Sequence, residues 1–261
     1  MSILYEDKRS QLIARSKRSK REKIDGKTRF EKRVKSRVAS SNRQYNSIDM
    51  NKFFKKHILT VDIPVTGETD NYIVKVTFGG IMDNIQRRVA QNDGQFDVKT
   101  IIRSMIDCFN SEDIYTWCSC PDYRYRMAYW SSRNGTNSGP VEDRPSNITN
   151  PRDDLGPGCK HIMLVLNNNS WIMKVATVIY NYTNYVKDHY EQQYAEIIYP
   201  AVYGKPYEGD VQLQLEPDEA PDIDNANKYA RTKNRWTSDT APRWVKTRND
   251  DENQIEFEEE E

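Results

Sequence analysis

Two short segments hold most of the residues with metal-ligand chemistry. Cys118-Ser-Cys120 is followed, after 38 intervening residues, by Cys159-Lys-His161. The chain has 4 cysteines and 3 histidines, so three of the four thiols and one imidazole fall into two tight pairs. Three thiolates and an imidazole make a tetrahedral donor set of the kind zinc takes when its role is structural. Four protein ligands leave no position for water, so this set is expected to hold a fold together rather than to catalyse. The alternative is four unrelated reduced residues.

The pairs need particular elements to converge. "DIYTWCSC" (113–120) reads as a strand, and side chains two apart on a strand share a side, so Cys118 and Cys120 can meet one ion. Positions two apart in an α-helix diverge by about 200°. Cys159 and His161 therefore need a turn entering a helix, and Gly156, Pro157 and Gly158 supply one before "KHIMLVL". Lys160, Arg124 or Arg126 could balance the net negative charge of three thiolates on a divalent ion. The fourth thiol, Cys108, lies on the apolar side of a helix and is expected to be a buried small hydrophobe.

The two pairs and their surroundings, "YTWCSCPDY" and "GCKHIMLVL", resemble the SWIM-type zinc finger, C-x-C then C-x-H, over about 115–170. The resemblance implies a small module of a strand pair and a helix around Zn2+, in a family linked with DNA or protein binding. The 38-residue spacer is longer than that family usually has. "SNRQYNSIDMNKFF", "RMAYW" and "ITNPRDDLGPGCKHIMLVL" extend the likeness over roughly 40–205 to virion-associated SWIM-finger proteins of large tailed bacteriophages, including crAss-like ones. That likeness implies a structural component of the head or head–tail connector region, located in the virion and, before assembly, in the host cytoplasm. Its partners would be other virion proteins or further copies of the chain, and possibly DNA.

The fold class expected is α+β: a β-hairpin and helices around the zinc module, then a long helix, with extended charged termini. "HILTVDIPV" and "NYIVKVTFGG", joined by "TGETDN", read as the hairpin, and Pro64 puts the first strand near an edge. Apolar residues at helical spacing predict helices over 81–91 and 97–109. The clearest helix runs from Trp171 to about Ile198, with Ser170 as N-cap and Trp171, Val175, Val178, Tyr182 and Val186 as its core stripe. Residues 131–158 read as a long irregular loop. "VQLQL" (211–215) could add a strand. From Glu216 onward no regular structure is expected.

Across 261 residues net charge is zero and mean hydropathy is −0.90. Residues 1–56 hold 18 Lys and Arg against 6 Asp and Glu, and residues 208–261 hold 7 against 16. This divides the chain into a basic arm (1–56), a body (57–205) and an acidic, largely irregular tail (206–261). The arm, with one or two nascent helices, suits a polyanion or an acidic protein face, and Arg15, Lys17, Arg18, Lys20 and Arg21 are its candidate contacts. Equally, the arm could be a solvated charged tail. In the tail, Trp236 and Trp244 could anchor to a neighbour.

"DYRYRMAYW" (122–130) allows two readings. In one, Asp122 caps a short helix whose Tyr125, Tyr129 and Trp130 wrap the metal. In the other, rings and guanidiniums alternate as in nucleic-acid grooves, and Arg124 and Arg126 are the candidate contacts. The opening "MSILYEDKRSQ" lacks the apolar core of a leader, and the longest aliphatic run, Ile162–Leu166, is too short for a membrane span. No membrane or small-molecule substrate is expected. No phosphate-binding loop, nucleophile elbow, dinucleotide fingerprint or deaminase pattern is present, and His57 and His189 lie in ordinary surroundings. The chain therefore reads as a non-enzymatic structural protein. The alternatives are a SWIM-finger DNA-binding accessory factor outside the particle and a metal-dependent nuclease.

Overall fold

A computed structural model describes residues 47–67, 70–111, 114–133, 135–145, 158–168, 170–209 and 221–236. It also gives three two-residue strands, β1 (Lys23–Ile24), β2 (Lys27–Thr28) and β3 (Arg37–Val38). The described body is α+β, with a small antiparallel sheet covered on one face by helices. Strand β4 (Leu59–Thr66) pairs with β5 (Asn71–Phe78), and β5 pairs with β6 (Ile114–Cys118). β3 meets β4 only at Val65 and Thr66, so Pro64 lies at the margin of the sheet, where its missing N–H is tolerated.

Strict alternation decides which face is buried. Leu59, Val61, Ile63 and Val65 of β4 point inward, as do Val74, Val76 and Phe78 of β5. The register places Ile63 opposite Val74 and Val74 opposite Cys118. A one-residue slip would turn this whole set to solvent, so burial itself enforces the register. Cys118 thus enters the core as the last inward residue of β6. The other face carries the Asp62–Lys75 ion pair (3.8 Å) and Lys75 over the Trp117 ring (5.9 Å).

Helices α2 (Ile81–Gln91) and α3 (Val98–Asn110) follow the expected apolar stripes, and α1 (Met50–Lys56) precedes them with Met50, Phe53 and Phe54 buried. The side chains of Asp49 and Asp97 accept backbone N–H groups of the first turns of α1 and α3, at 2.8 and 2.6 Å, filling orphan donors at each N-terminus. Asp107 of α3 ties the two middle helices together, accepting two bonds from Arg88 at 2.8 Å each and one from Arg87 at 3.2 Å. Cys108 is fully buried, as expected, and accepts a bond from Asn84 Nδ2 at 3.1 Å.

A π turn (Tyr123–Met127) leads into α4 (Ala128–Arg133). Helix α5 (Lys160–Asn167) lies against β5 and β6, and α6 (Ser170–His189) packs on α3. The indole of Trp171, fully buried, donates to the Val165 carbonyl at 3.0 Å and fixes the corner between α5 and α6. All five residues of the expected α6 stripe are buried. Among the described residues no single helix is long and apolar enough to cross a membrane.

The structure departs from the sequence reading in several elements. Ser170 is the first helical residue, not the cap, and the carboxamide oxygen of Asn168 accepts its N–H at 3.0 Å. The long helix breaks at Tyr190 and resumes as α7, made of Glu191–Gln193, a π turn (Tyr194–Ile198) and Tyr199–Tyr203, ending at Gly204 with φ of 67°. Residues expected to belong to the arm are core: Ile48, Met50, Phe53 and Phe54 are buried. Within the arm, residues 23–24, 27–28 and 37–38 are short strands, and the nascent helices expected elsewhere in it lie outside the described residues. Finally, Ile223–Trp236 form helix α8 within the segment expected to be irregular. Its Ile223 and Ala226 are buried as it packs on α6, and Tyr229 donates from its hydroxyl to the Asp188 carboxylate. The possible strand at 211–215 lies outside the described residues.

Candidate metal centre

Cys118, Cys120, Cys159 and His161 converge as a buried cluster, each 1–2% exposed. Their ligand atoms all lie within 4.8 Å of one another, and Cys118 Sγ stands 3.8 Å from His161 Nδ1. Sulfurs about 2.3 Å from a tetrahedral ion are about 3.8 Å apart, so little movement is needed to close on a cation. Among the described residues this is the one such Cys/His/carboxylate grouping. His57 closes α1 in the left-handed conformation (φ 58°), and His189 ends α6; neither reaches the cluster.

Local backbone explains the convergence. Beyond β6, Ser119 N–H donates to the Ile73 carbonyl at 3.0 Å, and Ser119 Oγ accepts from Ile73 N–H at 2.9 Å. Strand geometry therefore continues past Cys118 and turns Cys120 to the same side. Cys120 N–H then donates to Cys118 Sγ at 3.5 Å, and Tyr123 N–H donates to Cys120 Sγ at 3.3 Å. Such bonds favour thiolate over thiol. On the other side Cys159 is the N-cap of α5, extended at φ −69° and ψ 173°, and its carbonyl accepts the Met163 N–H at 3.1 Å. The switch from extended to helical backbone brings Cys159 and His161 together, as the spacing required.

The electrostatics of the cluster suit a cation. Neighbouring Cys118 and Cys159 hold the Cys120 thiol far below its ordinary range. The Cys120 sulfur in turn pushes Cys118 up to about 12, and burial pushes Cys159 well up. Three sulfurs in one dry pocket cannot all ionise without a positive charge among them. A divalent ion removes that obstacle and releases the remaining thiol protons. The donor set, spacing and N–H···S bonds all fit a metal ion.

The surroundings are only partly those expected. The ring that meets His161 is Tyr72, at 4.5 Å between centroids. Tyr123, fully buried, backs the cysteines and donates from its hydroxyl to the Thr116 carbonyl (3.1 Å) and Asn137 Oδ1 (3.2 Å). Burial raises its phenol above the ordinary range. Asp122 does not cap; it is helical and pairs with Arg126 at 3.4 Å. Tyr125 and Trp130 do not wrap the centre: they are 49% and 43% exposed. Sequence reasoning missed Tyr72 because it lies 89 positions from His161, joined to it only through the sheet.

Residues 136–139 of the spacer dock on β6. Thr116 N–H donates to the Thr136 carbonyl at 2.9 Å, and Ser138 N–H to the Thr116 carbonyl at 3.2 Å. Gly139 sits so close to Trp117 that a Cβ there would stand 2.2 Å from ring carbon Cδ1. Arg124 is exposed, with its guanidinium 5.7 Å from the Tyr125 ring centroid. Trp236 ends α8, its side chain outside the described residues. Arg15, Lys17, Arg18, Lys20, Arg21 and Trp244 also lie outside them.

Comparison with protein-family models, curated proteins and solved structures gives no match to this chain. The site therefore defines its class by chemistry alone: an α+β protein whose core contains a Cys3His cluster able to hold a metal ion.

Proposed function

We propose that the chain is a zinc-binding, non-enzymatic structural protein, a component of a tailed-phage virion in the head or head–tail connector region. The observation that carries the metal half is the burial of all four ligands in a closed set. Zinc is the cation that best suits three thiolates and one imidazole in tetrahedral array, and four protein ligands leave it no open position. The virion half is supported by the sequence resemblance and by the charge separation between the two ends of the chain, which suits contact with neighbouring subunits or DNA.

A DNA-binding accessory factor outside the particle is the second reading, favoured by the exposure of Tyr125 and Trp130 beside arginines. Metal analysis of the purified chain tests the first claim, with about one equivalent of zinc expected. Peptides of the chain in purified, nuclease-treated particles support the virion reading, and their absence from the particles favours the second.

A further inference from the structure

The segment 123–133 has an inner face and an outer face. Tyr123, Met127, Ala128 and Ser131 are buried. The π turn closes with Ala128 N–H donating to the Tyr123 carbonyl, five residues back instead of four. One extra residue in the turn brings positions five apart into line, and such insertions recur at functional sites. Tyr125 and Trp130 stand five apart, and so do Arg124 and Tyr129. The insertion thus gathers rings and guanidiniums on the outer face while the inner face stays buried.

The outer face is chemically consistent along its length. Arg124 lies 5.7 Å from the Tyr125 ring centroid and Arg133 lies 6.0 Å from the Trp130 centroid. Tyr129 and Trp130 meet edge to face at 5.3 Å, and Arg133 donates to the Tyr129 hydroxyl at 3.4 Å. Two carboxylates of this region have their own partners, Asp122 with Arg126 at 3.4 Å and Glu142 with Arg144 at 2.9 Å. Two large rings at nearly half exposure, each with a guanidinium beside it, offer π faces and positive charge together.

We propose that this face, formed by Arg124, Tyr125, Tyr129, Trp130 and Arg133, binds single-stranded nucleic acid. Ring faces stack with unpaired bases, and guanidiniums meet the phosphates between them. A duplex keeps its base faces covered and uses only the charge. An acidic peptide would likewise leave the exposed rings without a counterpart. The inference rests on the preceding reading only in that the metal-organised body presents this helix, and it holds for packaged or free nucleic acid.

The test uses the full chain with its metal, a fluorescent oligo-dT of about 15 nucleotides and a duplex of equal length, roughly one contact length for such sites. Trp130→Ala and Tyr125→Ala are each expected to weaken oligo-dT binding at least about fivefold, and Trp130→Phe, which keeps a stacking ring, by less than about twofold. Duplex binding and its salt dependence should be unchanged, because phosphate contacts alone set them. Wild-type affinity of the double alanine variant for oligo-dT would overturn the proposal. Absence of oligo-dT binding by the wild-type chain, or equal loss on single strand and duplex, would overturn it too. Zinc content measured on the same samples reports separately on the metal centre, so failure of one reading is distinguishable from failure of the other.

Discussion

Tyr72 of the central strand lies against the imidazole of His161, with centroids 4.5 Å apart and planes inclined by 31°. The hairpin thereby reaches a ligand that the helix α5 supplies. Aromatic pairs contribute about 0.5–1.5 kcal/mol beyond area burial. Tyr72→Leu is therefore expected to weaken zinc binding by about threefold to tenfold, while Tyr72→Phe stays near wild type. Competition with a chelating dye measures both.

Cys159→Ala removes a candidate ligand that is also the N-cap residue of α5. It should abolish stoichiometric zinc and loosen the start of α5, because binding energy at such sites is folding energy. Chelation of the wild-type protein should lower its Tm by about 10 °C or more, given shifts of about 2–4 °C per kcal/mol at this size. A thermal melt unchanged by chelator would refute a structural role.

Asp107 provides the pH dependence. Its hydrogen bond from Arg88 holds the carboxyl below the ordinary range, against the opposing effect of burial. A lowered folded pKa means that the contribution is present above the unfolded carboxylate value, about 3.9, and is lost as pH falls through the folded value. Asp107→Asn is expected to cost about 1–2 kcal/mol at pH 7. The difference from wild type should shrink towards zero at pH 2. Paired urea titrations at the two pH values check the sign.

Gly139→Ala tests the docking of the spacer on β6. A methyl group would enter the Trp117 ring, so either the loop lifts or the indole turns. A loss of about 1–3 kcal/mol is expected, with a change in tryptophan emission. Because the metal ligands lie elsewhere, zinc content should stay at the wild-type level.

How much of this was legible depended on whether the signal was local. The hairpin shows as two alternating runs around a turn, and α2, α3 and α6 as stripes at helical spacing. The four clustered residues stood out by counting scarce residue types. What escaped lacks a local mark. Nothing in "DYRYRMAYW" announces the π insertion, so the sequence left open whether Tyr125 and Trp130 wrap the metal or face outward. Phe53 and Phe54 sit among Lys52, Lys55 and Lys56, and the charge concealed a core helix. Helix α8 is strongly polar, and its burial rests on Ile223 and Ala226 meeting α6.

The four candidate ligands enclose a 38-residue excursion whose two ends meet in the cluster. An ion at the neck of such a loop works as a clasp: the loop's ends meet whatever lies between them. Closing a loop twice as long costs only about 0.6 kcal/mol more. A change of length within the excursion is therefore expected to cost the body little as long as the contacts of Thr136, Asn137, Ser138 and Gly139 are kept. Variation among relatives of this chain is expected to accumulate there, between Pro140 and Gly158, rather than in the strand and helix that grip the ion.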